Sequence, residues 1–102
     1  MNSNDYYRLR KQFEEQDNVK PVDYELIDKI PDNVQTLWSY DIRGQTVSCY
    51  TTGSGASLVV FDNVEGVHAY WDRGGLGFKL SEKLRESDAD PIVDVAGNVY
   101  DE

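Results

Sequence analysis

Four β-rich runs between residues 36 and 72, parted by short Gly-containing breaks, constrain this chain more than any other feature of its sequence. Thr36–Ile42 alternates, with Trp38, Tyr40 and Ile42 on one side and Leu37, Ser39 and Asp41 on the other. A second run, Thr46–Thr52, follows Arg43-Gly44-Gln45, a hairpin-length break. The third, Ser57–Asp62, lies beyond Gly53-Ser54-Gly55 and is apolar on both sides, which predicts a central strand. After Asn63-Val64-Glu65-Gly66 the fourth, Val67–Asp72, sets Val67, Ala69 and Trp71 against His68, Tyr70 and Asp72. Short runs with tight connections predict an antiparallel meander, because parallel strands need long crossovers.

The flanks read as helices that must dock on this sheet. Over residues 4–16, Tyr6, Leu9 and Phe13 form one narrow apolar stripe, with Ser3 or Asn4 as cap and Asp5 at the positive end of the helix dipole. Glu14, Glu15 and Asp17 crowd the opposite end, where negative charge is unfavourable, so the helix is marginal alone. Between Pro21 and Pro31, Asp23 caps a short helix carrying Tyr24, Ile27 and Ile30, with a strand through Val22, Tyr24 and Leu26 as the alternative. Arg73–Gly77 reads as a loop, Phe78–Ser87 as a short helix with Leu80 and Leu84 inward, and Asp88–Pro91 as a turn. Ile92–Val95 and Val99-Tyr100 suggest a last hairpin around Ala96-Gly97-Asn98. The expected class is α+β: an antiparallel sheet of about four to five strands with an N-terminal helix and a short helix near 78–87. All 102 residues form a single domain, the acidic segment 86–102 included.

Composition narrows the setting. The longest apolar run, Leu58-Val59-Val60-Phe61, is far short of the roughly 18 residues of a membrane span. Cys49 is the only cysteine, so no intramolecular disulfide can form, and Met1–Asp5 carries neither a basic nor an apolar leader region; a reducing, cytoplasmic setting is expected. Within its strand, Cys49 reads as a small buried apolar residue.

No motif names a reaction. The glycines of Arg73–Gly77 suggest an anion-binding loop, but neither phosphate-loop spacing is present, and a strand-to-helix connection needing positive φ explains them better. His68 and Asp72 share a strand face yet stand roughly 13 Å apart, so they cannot chelate one metal ion, even with Asp41 and Asp62 nearby. Asp88-Ala89-Asp90 lacks the pattern of a calcium loop. No cofactor and no catalytic residue are expected, and the chain is read as a non-enzyme.

Charge says more. The chain has 19 acidic and 10 basic residues, net −9. Residues 61–102 hold ten acids and four bases, and Glu86–Glu102 holds six acids with no Lys or Arg. Such a field repels nucleic acid and anionic membranes and speeds encounter with a cationic partner. Seven Tyr and two Trp add interface anchors. The expectation is an acidic binding protein that covers the cationic surface of a basic protein, as an immunity protein or antitoxin does with a nuclease toxin. The expected contact residues are Asp62, Glu65, Asp72, Asp88 and Asp90, with Tyr70 and Trp71 as anchors. Two alternatives are a DNA-mimicking inhibitor of a nucleic-acid-handling enzyme and a small ligand-binding or enzymatic domain.

Overall fold

A computed structural model describes residues 4–22, 35–51, 57–87 and 89–93. Helix α1 (Asn4–Glu14) leads into strand β1 (Val19–Val22), and the meander follows as β2 (Gln35–Ile42), β3 (Gln45–Thr51), β4 (Ser57–Asn63) and β5 (Gly66–Asp72). Helix α2 (Leu76–Glu86) and strand β6 (Asp90–Val93) complete the described chain. Among the described residues the sheet has six antiparallel strands in the order β1-β5-β4-β3-β2-β6, so the chain is α+β. The expected element after Asp23, the break at Gly53–Gly55, Asp88 and the terminal hairpin beyond Val93 lie outside the described residues.

The four-strand meander matches the alternation of the sequence, and β4, apolar on both sides, lies inside the sheet. Strands β1 and β6 add the two edges. Each is four residues long and carries a proline, Pro21 and Pro91, a residue tolerated only where one side of the strand needs no partner. Short proline-bearing edges also hinder pairing with other chains. Residues 90 and 91, expected in a turn, therefore belong to a strand.

Both described helices cover the same face of the sheet. Tyr6, Leu9 and Phe13 of α1 and Leu80 and Leu84 of α2 are buried in one cluster with Trp38, Tyr40, Ile42, Val47, Cys49, Val59, Phe61 and Tyr70. Aromatic edges meet faces through this layer: Tyr6 on Phe61 at 5.8 Å, Phe13 on Tyr70 at 5.9 Å and Trp38 on Tyr40 at 5.7 Å. Such pairs add to the stabilisation of simple area burial. The unfavourable acid at the end of α1 has a specific partner: the Tyr70 hydroxyl donates to Glu14 Oε2 at 2.7 Å. α2 sits close enough to the sheet that a Cβ on Gly77 would meet Cys49 Sγ at 3.3 Å, so only glycine fits without displacement.

A bulge between Thr36 and Trp38 departs from strict alternation. Leu37, expected beside Ser39 and Asp41, packs instead against the helix-side cluster. The extra residue of a bulge re-aims one side chain while the flanking register resumes.

Cys49 is buried, and burial pushes its thiol up to about 12, with the nearby Asp72 carboxylate adding to the rise and a hydrogen bond from Ser57 opposing it. Iodoacetamide at pH 8 is therefore expected to leave the folded protein unmodified and to label it promptly in urea, as read by mass spectrometry. Tyr6 is raised similarly to about 12, mainly by burial. In both groups the unfolded chain ionises first, from about 9.0 for the thiol, so their stabilising contribution is intact below that pH and is lost as pH rises toward 12.

Candidate protein-interaction face

The second face of the sheet is defined by register. Directly paired residues of antiparallel strands share a face. Asp90 of β6 pairs with Asp41 of β2, Asp41 with Thr46 of β3, and Thr46 with Asp62 of β4. Since Tyr40, Ile42, Val47 and Phe61 point to the helices, this row points away from them. Three carboxylates thus stand in one line across four strands, about 4.8 Å apart for Asp90 and Asp41 and roughly 10 Å for Asp41 and Asp62 at strand spacing. Asp62 and Asp90 are exposed and Asp41 is half-buried, with its Oδ2 accepting from the Gly44 amide at 3.3 Å.

Like charges directly opposite each other on a sheet are destabilising. Asp41 and Asp90 are such a pair. Asp90→Lys is expected to raise stability by about 0.5–1 kcal/mol at low salt, with the gain shrinking as salt screens it. Urea titrations at two ionic strengths measure this; a destabilised variant would mean the two carboxylates do not repel as placed.

A second row of this face lies about four residues, or roughly 13 Å, away along the strands: Trp71 of β5, Leu58 of β4 and Tyr50 of β3. Trp71 and Tyr50 are half-buried, while Leu58 is buried. Between the rows, Ala69, Val60, Ser48 and Ser39 are in register, and the two serine hydroxyls bond to each other at 2.8 Å.

Register therefore places Asp62, Asp90 and Trp71 of the expected contact set on one face, the two carboxylates in one row with Asp41 and Trp71 in the other row. Glu65 lies beside them in the β4–β5 turn, exposed, with its Oε1 accepting from the Tyr7 hydroxyl at 2.7 Å. Asn63 donates to the same hydroxyl at 3.1 Å, so this turn is tied to α1.

Two expected contact residues are placed elsewhere. Tyr70 alternates with Trp71 and so points to the helix side, where it is 4% exposed and packs on Phe13 and Phe61. Asp72 is 2% exposed and serves the start of α2. Its Oδ1 accepts from the Gly74 amide at 3.0 Å and its Oδ2 from the Gly77 amide at 2.8 Å. Gly75 adopts φ 70, the left-handed turn that lets the chain fold back over this carboxylate. The Arg73–Gly77 segment thus does present amides to an anion, and that anion is the protein's own side chain, which also complements the positive end of the α2 dipole. Asp88 lies outside the described residues.

Among the described residues, no group of three or more His, Cys, Asp or Glu side chains converges on a point that could hold a metal ion. No described helix is long and apolar enough to cross a membrane. No protein-family model, no curated protein and no solved structure matches this chain.

Proposed function

We propose that this protein is an acidic binding protein that neutralises a basic partner, a nuclease toxin above all, by laying the Asp90–Asp41–Asp62 row against the cationic surface that such an enzyme offers to phosphates. The observation carrying this reading is the register that lines up three carboxylates and sets two of them directly opposite each other. That arrangement weakens the isolated sheet and is relieved when cations from a partner stand over it. Glu65 adds negative charge in the adjoining turn, its carboxylate held by Tyr7 of α1, and the exposed parts of Trp71 and Tyr50 lie farther along the same face. The net charge of −9 adds a long-range field that speeds encounter.

The test is affinity capture from the native host at low ionic strength, using the wild-type protein and the variant Asp41→Asn/Asp62→Asn/Asp90→Asn. A cationic protein retained by the wild type and lost by the variant is expected, and its nuclease activity should fall on reconstitution with the wild type alone. Capture of no cationic protein, or equal capture by both, would sink the proposal.

A further inference from the structure

We propose that the groove between α1 and α2, on the side of the sheet opposite the acidic row, binds a small amphiphilic carboxylate. The groove encloses about 230 Å³. Its floor is apolar: Leu9 and Phe13 from α1, Leu76 and Leu80 from α2. Among the described residues its charged rim is cationic, from Lys79 and Lys83, one helical turn apart on the same side of α2 with exposed side chains. Gln12 and Gln16 line the α1 side; the Gln16 amide donates to the Gln12 carbonyl at 3.1 Å, which holds it in place.

Charge identifies the occupant. In a chain of net −9, with 19 acids, no acid is among the described residues lining this groove, and both charged groups among them are lysines. An apolar floor beneath two ammonium groups fits a ligand with an apolar chain or ring at one end and a carboxylate at the other. The volume lies below the roughly 300–1,000 Å³ of drug-sized ligand pockets, which points to a short chain or a single ring rather than a larger body. The lysines bind as point charges with three donors each, so they accept a carboxylate without demanding one planar geometry. A basic partner on the acidic row would leave this groove untouched, so the two proposals stand or fall separately.

Octanoate is the probe, with octanol and octylamine as neutral and cationic controls of equal chain length, followed by backbone amide NMR. Saturable shifts confined to residues 9–16 and 76–83 are expected with octanoate. Octanol should bind roughly tenfold more weakly and octylamine should not bind, since two exposed ion pairs together supply about that factor. Lys79→Glu/Lys83→Glu should weaken octanoate by roughly tenfold or more, with amide positions outside the groove unchanged; Lys79→Gln/Lys83→Gln gives the same reading if charge reversal disturbs folding. Equal binding of octanol and octanoate, shifts on the other face of the sheet, indifference to both lysine variants, or binding of an acidic amphipathic peptide without binding of octanoate would overturn the proposal.

Discussion

Asp72→Ala is expected to lower the folding free energy by about 3 kcal/mol and Tm by roughly 12–20 °C. The carboxylate is buried and accepts two backbone hydrogen bonds that no side chain of α2 can replace. Its loss leaves the buried Gly77 amide without an acceptor, a desolvation penalty of about 1–3 kcal/mol, while the amide of the exposed Gly74 turns to water. It also removes the negative charge that faces the α2 dipole and opens space beside Cys49. Asp72→Asn keeps the shape but exchanges one accepting oxygen for a donor, so a loss of about 2 kcal/mol is expected. Asp62→Ala, on an exposed position of β4, should stay within about 0.5 kcal/mol of wild type. Urea denaturation followed by circular dichroism decides between these values. An Asp72→Ala protein as stable as Asp62→Ala would show that the carboxylate does not hold the start of α2.

Charge reversal of the acidic row is expected to have the largest functional effect. Asp41→Lys/Asp62→Lys/Asp90→Lys should slow association with the captured basic partner by roughly 100-fold at low salt, because electrostatic steering accelerates encounter by about 10–1,000-fold and the variant inverts the field where contact begins. Dissociation should also quicken, though less. Folding should persist, since Asp62 and Asp90 are exposed and the Asp41 bond to Gly44 is long, at 3.3 Å. The wild-type association rate should fall steeply between about 20 and 200 mM salt, and the variant's should not. Stopped-flow mixing across that range measures both. A variant that associates at the wild-type rate would remove the row from the interface.

Much of the fold was legible in the chain. Period-two alternation in Thr36–Ile42 and Val67–Asp72 placed Trp38, Tyr40 and Ile42 on one face, and it separated Trp71 from Tyr70, before any strand order was known. The stripe of Tyr6, Leu9 and Phe13 and the pair Leu80 and Leu84 marked the docking sides of both helices. Alternation failed at Leu37, because a bulge depends on how the neighbouring strand meets β2, and no periodicity within β2 carries that information.

The candidate site was less legible. A surface role for Tyr70 and Asp72 rested on the composition of the segment around them, which does not tell which face of a strand the helices cover. Asp72 looked like one more acid in an acidic half; only the return of the chain through Gly75 makes it the acceptor for α2. Asp41 was visible as a residue pointing away from Trp38 and Tyr40, but its companions Asp62 and Asp90 come from positions far along the chain.

Local periods, helix stripes, the sign and size of the net charge and the impossibility of an intramolecular disulfide follow from the chain alone. These depend on neighbours a few residues away, or on simple sums, and so survive without knowledge of the fold. Tertiary structure alone decided which carboxylates stand side by side, which one is consumed inside the protein, and that two lysines flank an apolar groove between helices. Each of those is a meeting of residues brought together by strand register or helix docking, and such meetings are set by the packing of the whole chain rather than by any stretch of it.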